Sequence, residues 1–148
     1  MVHVQVSRFA PRSYELDSYR HLNNGVYVGW FEQARLEYLQ SLGFSYDGFA
    51  DRQQWIVVAR TEVDFRRPLH LGDAVVLETR VLAFGRSSVR FSQRLLAAPA
   101  AAAGSVAASE PAVLAAEALT VMVFSGPDGH SIPVPEDFRL AVGALEAS

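Results

Sequence analysis

From Tyr14 to Gly43 the chain passes from polar to apolar and changes its period on the way. Tyr14 to Asn24 reads as a loop carrying Asp17, His21, Asn23 and Asn24. Beyond it Tyr27, Phe31, Ala34, Tyr38 and Leu42 follow at spacings of four, three, four and four, which puts them on one helical face. Val26, Val28, Gly29 and Trp30 make the first turns apolar on nearly every side, so the pattern predicts a helix enclosed by the rest of the fold. Asn23 or Asn24 caps it, because a short amide side chain accepts from an otherwise orphan N–H, and Gly43 stops it through a left-handed turn. A polar-lined, buried helix start is a natural seat for an anionic or electrophilic group, since free N–H donors and the helix dipole point there.

The remaining pattern is mostly of period two. His3 to Ser13 alternates at first, through Val4 and Val6, and reads as a strand. Residues 44–54 form a short irregular or helical link. Trp55 to Phe65 is β-branched and then alternating, with Thr61, Val63 and Phe65 opposite Arg60, Glu62 and Asp64, until Arg66-Arg67-Pro68 ends it. Leu71-Gly72-Asp73 and Phe84-Gly85-Arg86 are turns that bracket two further strands, 74–84 and 87–98. Pro99 to Ala112 is low in complexity and reads as a tolerated hairpin loop. Val113 to Ser125 is a last long strand, and a short helix from Pro135 ends the pattern. Short turns between successive strands predict an antiparallel meander. The fold class is α+β: one domain over 1–148, with a sheet that either curls around the long helix or is helped by a second subunit.

Composition narrows this. Half of the 148 residues are hydrophobic, which excludes a disordered chain. A net charge of −3 and a pI near 5.8 exclude a general nucleic-acid binder. The absence of cysteine removes disulfides, thiolate catalysis and cysteine metal sites together. No apolar run reaches the roughly 18 residues that a bilayer span needs, and no signal peptide opens the sequence, so a cytoplasmic protein without membrane partners is expected.

The chemistry that remains sits before the helix. Phosphate loops, dinucleotide fingerprints, nucleophile elbows and paired metal-ligand histidines are missing, and His3, His21, His70 and His130 lie far apart. Asp17 is either a nucleophile or general base facing the helix N–H groups, or a turn aspartate bonding its own backbone. His21 is an acid–base group or an ordinary loop histidine, and Asn23 and Asn24 are most simply caps. Glu32 and Arg35, at i and i+3, are expected to pair on the helix surface. Arg66, Arg67, Arg86, Arg90 and Arg94 are solvated strand cations or a phosphate-binding set.

Taken whole, YELDSYRHLNNGVYVGWFEQAR resembles the opening signature of hotdog-fold acyl-thioesterases of the 4-hydroxybenzoyl-CoA thioesterase type. VDFRRPLHLGDAVVLETRV from Val63 and FGRSSVRFSQRL from Phe84 are similar to that family's strand signatures. The resemblance covers about 110 residues. It implies a long helix wrapped by a five- or six-stranded antiparallel sheet, assembled as a homodimer or homotetramer. It further implies hydrolysis of an acyl-CoA or acyl carrier protein thioester, with no metal or redox cofactor. By the same resemblance Asp17 is the catalytic carboxylate. His21, Asn23, Asn24, Gly25, Val26 and Tyr27 form the oxyanion and substrate-binding set, and Arg66, Arg86, Ser87 and Ser88 meet coenzyme A. One slot departs: the family has glycine before the histidine, and Arg20 stands here, a bulky residue that resists positive φ. A catalytically silent module that binds acyl-CoA or serves assembly is therefore the competing expectation, with a hydratase on the same fold ranking below it.

Overall fold

A computed structural model describes residues 3–98 and 112–147. Five strands form one fully antiparallel sheet: β1 (Gln5–Phe9), β2 (Trp55–Phe65), β3 (Ala74–Phe84), β4 (Ser88–Ala98) and β5 (Val113–Ser125). Its spatial order is β1-β3-β4-β5-β2. The long helix α1 (Asn24–Ser41), the short α2 (Tyr46–Asp51) and the C-terminal α3 (Glu136–Ala147) complete the chain. This is the expected α+β architecture, a sheet curled over one long helix. The low-complexity stretch lies almost wholly outside the described residues.

The termini of α1 are held as the sequence predicts. Asn23 is the cap, its side chain accepting from the Gly25 amide at 2.9 Å. Gly43 takes φ +84°, while the Phe44 amide reaches back to the Leu39 carbonyl at 2.9 Å, which satisfies carbonyls the helix leaves open. Tyr27, Trp30, Phe31, Ala34, Arg35, Tyr38 and Leu39 are buried against the sheet. The opposite face is open rather than enclosed: Val28 is 45% exposed, and Gly29, Glu32 and Gln33 lie beside it.

Two further expectations are corrected. The strands form a meander only from β3 to β5, because β2 pairs with β5 at the far edge and does not neighbour β3. Residues 66–73 therefore cross the end of the sheet, a distance of three strand spacings or about 14 Å. Eight residues reach that easily, so local turn chemistry did not reveal the crossover. Arg35 does not make the expected surface pair with Glu32. It is 3% exposed, and its guanidinium donates to Gln93 Oε1 at 3.0 Å and Thr120 Oγ1 at 3.3 Å.

Arg35 also marks where the core divides. One apolar cluster surrounds the start of α1 with Leu22, Phe31, Leu69, Leu77 and Leu95. A second surrounds its end with Tyr38, Phe49, Phe91, Phe124 and Phe138. Between them runs a polar seam in which Gln93 also donates to the Phe31 carbonyl and to Thr79, and the Thr61 and Thr120 hydroxyls share a hydrogen bond. Burial lowers the Arg35 pKa, and the neighbouring Tyr46 hydroxyl and Glu32 charge oppose that shift.

Candidate active site

The first cluster carries the site, since the start of α1, the loop before it and the 66–73 crossover all meet at that end of the sheet. The loop is a closed turn. The Asp17 amide donates to the His21 carbonyl at 2.8 Å, and Asp17 Oδ1 accepts from the amides of Tyr19 and His21 at 2.8 and 3.0 Å. Asp17 organises its turn through one oxygen and also lines a cavity of about 240 Å³. Arg20, inside the turn, takes φ +62°. An L-residue adopts that left-handed geometry at a cost of roughly 1–2 kcal/mol.

The crossover pins this turn from the other side. The Leu22 amide donates to the Leu69 carbonyl at 2.9 Å, and Leu69 is fully buried. The amides of Arg66 and Arg67 both donate to the Ala115 carbonyl, at 2.8 and 3.0 Å, which fixes the start of the crossover on β5. Asp17, His21, Asn24, Tyr27, Phe65 and Arg67 share the cavity wall. Tyr27 is buried with Phe65 edge-on at 5.1 Å. Burial raises the Tyr27 pKa, a hydrogen bond from the Leu69 backbone opposes this, and the charges of Asp73 and Asp17 add to the rise.

The helix start narrows the expected oxyanion set. The Gly25 amide is held by the Asn23 side chain and the Val26 amide by the Asn23 carbonyl at 2.9 Å. Asn24, the first residue of α1, lines the cavity, and the first N–H groups of a helix have no partner within it. The Gly25 and Val26 amides are thus both engaged by Asn23. Asn23 is engaged as the cap.

Of the four residues expected at coenzyme A, only Arg66 lies here, and it is partly committed: its guanidinium donates to Glu117 at 2.6 Å, which raises its pKa. Arg86, Ser87 and Ser88 belong to the β3–β4 turn at the opposite end. Ser88 pairs with Val123, whereas Arg66 bonds at Ala115, eight residues away along β5 or about 26 Å. A single chain does not bring the two groups together.

A second cavity, of about 320 Å³, adjoins the first and shares its Arg67–Pro68 wall, with His70, Asp73, Ala97, Val113 and Ala115 completing the lining. Asp73 is 6% exposed and accepts from the His70 amide at 2.8 Å. The His21 and His70 rings meet edge to face, with centroids 5.0 Å apart and planes at 89°. His70 and Asp73 carried no expected role in the sequence, and Arg67, one of the arginines read as strand cations or a phosphate-binding set, lines both cavities. Their signal was the crossover, which is hidden until the sheet order is known.

The chain belongs to the thioesterase-like superfamily, whose family model matches residues 11–142. Two curated relatives and one solved structure show how near the likeness runs. A chloroplastic acyl-acyl carrier protein thioesterase of Arabidopsis thaliana is 28% identical over 88 residues, which are 60% of this chain and 46% of that protein. The acyl-CoA thioesterase YbgC of Haemophilus influenzae is 34% identical over 71 residues, 47% of this chain and 52% of that one. These matches therefore span about half the length of each relative. A crystal structure of a thioesterase complexed with coenzyme A and Zn from Thermus thermophilus is 33% identical, with a TM-score of 0.76 over 97% of this chain and 94% of the other.

Proposed function

We propose that this protein is a thioester hydrolase that converts an acyl thioester of coenzyme A, or of an acyl carrier protein, to the free acid and thiol. One observation carries the reading: Asp17 and the start of α1 line a single cavity. A thioester carbonyl seated there meets a carboxylate on one side and the Asn24 N–H on the other. The N–H stabilises the oxygen as it gains charge, while Asp17 drives attack, either directly or by taking a proton from water. Similarity to the acyl-CoA and acyl carrier protein thioesterases supports the substrate class. The coenzyme A-complexed relative supports the same choice of carrier. Arg66 and Arg67 at the mouth suit phosphate oxygens, which guanidinium forks bind well.

The enzyme acts, on this reading, as a homodimer or homotetramer in the cytoplasm. The separation of about 26 Å along β5 between Arg66 and the Arg86–Ser88 turn supports the assembly, because a second copy has to supply that turn if both are to hold one substrate. No helix among the described residues is long and apolar enough to cross a membrane. The left-handed backbone at Arg20 answers only the conformational part of the silent-module alternative, and thiol release separates the two readings.

A panel of aliphatic and aromatic acyl-CoAs and acyl carrier protein thioesters, read by thiol release, tests the activity. Asp17→Asn keeps an oxygen to accept from the Tyr19 and His21 amides, so the turn is expected to hold. With the charge gone, kcat is expected to fall by on the order of 10²-fold or more, with a far smaller change in KM and an unchanged Tm. Wild-type turnover in this variant, or no thiol release from any thioester by the parent protein, would sink the assignment.

A further inference from the structure

The contact between His21 and His70 has no part in the turn, the cap or the oxyanion donor, yet it links the two cavities. His21 lines the smaller cavity beside Asp17, and His70 lines the larger one. Each belongs to a segment fixed by its own backbone bonds. His21 sits in the Asp17 turn, and His70 begins a turn closed by its amide on Asp73 Oδ2 at 2.8 Å and by the Asp73 amide on its carbonyl at 3.1 Å. His70 Nδ1 lies 3.9 Å from the same Asp73 oxygen, so the ring stands against the carboxylate as well as against His21. Asp73, His70 and His21 thus form a string that ends in the cavity wall next to Asp17. An acid–base group oriented by a second residue that a third one holds is a recurring way to keep a proton donor aligned.

We propose that His70 is a positioning residue for His21. It holds the His21 imidazole edge-on in the cavity wall, where that ring protonates the departing thiolate. This rests on the thioesterase reading above. When the carbon–sulfur bond breaks, its electron pair goes to sulfur, which takes the proton from the His21 imidazolium. The proton released by the attacking water restores the imidazolium, so acid and thiol form with nothing left over. Among the side chains lining the smaller cavity, the His21 imidazole is of the type that most often serves as a positioned proton donor. The charged and titratable groups that face the pair are Asp17 and Tyr19 from the loop, Tyr27 from α1, and Arg66, Arg67 and Asp73 from the crossover.

The test compares His70→Ala with His70→Phe, using the best acyl-CoA from the panel. The His70 side chain is half exposed, so both variants are expected to fold with Tm near that of the parent. His70→Ala removes the ring and is expected to lower kcat about tenfold with KM within twofold. Its kcat–pH profile should change shape relative to the parent's, because the proton donor is no longer held in place. His70→Phe keeps a flat ring against His21 and is expected to recover most of the loss. An unchanged kcat in His70→Ala would overturn the proposal. So would a uniform drop at every pH, or a His70→Phe variant as slow as His70→Ala. Absence of turnover by the parent protein would instead defeat the thioesterase reading itself, and this inference with it.

Discussion

Tyr27 shows how a single residue ties the site to the fold. Its ring lines the cavity, and its hydroxyl takes a hydrogen bond from the crossover at Leu69. Burial raises its pKa above the ordinary value of 10.0, so in the folded state the phenol holds its proton to higher pH than in the unfolded chain. The folded form then binds more protons once pH exceeds 10.0, and linkage requires stability to fall as pH climbs from there through the folded value. The contribution is fully present below pH 10.0. Tyr27→Phe is expected to flatten this alkaline loss while costing about 1 kcal/mol near neutrality, through the bond lost at Leu69. Urea melts from about pH 8 to 11, spanning the ordinary phenol range, would show it, and an alkaline slope identical to the parent's would count against it. At this scale the sequence was most informative where the chemistry is local. Asp17, His21, Asn23 and Asn24 fall within one turn and cap, so their neighbours in sequence are their neighbours in space. Arg67, His70 and Asp73 reach the site through strand order, which no local pattern encodes.

Elements divide on the same principle. Helix α1, its cap, its glycine stop and strands β3 to β5 follow from period and turn residues, and they stand where those signals put them. What failed was surface reasoning applied to a curled sheet. An Arg at i+3 from a Glu is expected to pair with it in water, but the sheet wraps that flank of α1 and turns Arg35 inward to Gln93 and Thr120. Phe65, on the side of β2 opposite Arg60, Glu62 and Asp64, is 48% exposed, and β2 is an edge strand of the sheet. The seam at Arg35 behaves as one unit. Gln93→Leu leaves the buried guanidinium without its amide acceptor, and strips a donor from Thr79 and the Phe31 carbonyl. A loss of about 3 kcal/mol or more is expected. Arg35→Met removes the charge together with its need for partners and is expected to cost less. The double variant should fall short of the sum by at least about 1 kcal/mol, since contacting members of one network couple. Additive denaturation energies would mean that the two residues stabilise the core independently.

At the scale of the whole molecule the outstanding demand is at β2. Among the described residues it pairs on one side only, with β5, and its other backbone edge is unpaired. Trp55, Val57 and Val58 on it are 40%, 49% and 48% exposed, and Val28 on α1 adds a fourth open apolar side chain. An edge of eleven residues without a covering element is a template for another strand, and natural sheets usually bulge, charge or cover such an edge. The bulge between Val58 and Arg60, and the charges at Arg60, Glu62 and Asp64, occupy only the later part, leaving the Trp55–Val58 part free to pair. A second copy is the simplest cover, and the proposal that the Arg86–Ser88 turn meets coenzyme A calls for the same partner, because that turn lies about 26 Å from the crossover within one chain. The parent protein is therefore expected to scatter light as a multiple of 16.2 kDa at micromolar concentration. Val57→Lys combined with Val58→Lys places charge on both faces of the strand and should shift the mass to 16.2 kDa. If the second copy contributes to substrate binding, KM in that monomer should rise more for an acyl-CoA than for a truncated thioester lacking the nucleotide, which has nothing to offer a distant arginine. A parent protein that runs as a monomer, or a charged variant that stays assembled, would place the interface elsewhere and leave the β2 edge unexplained.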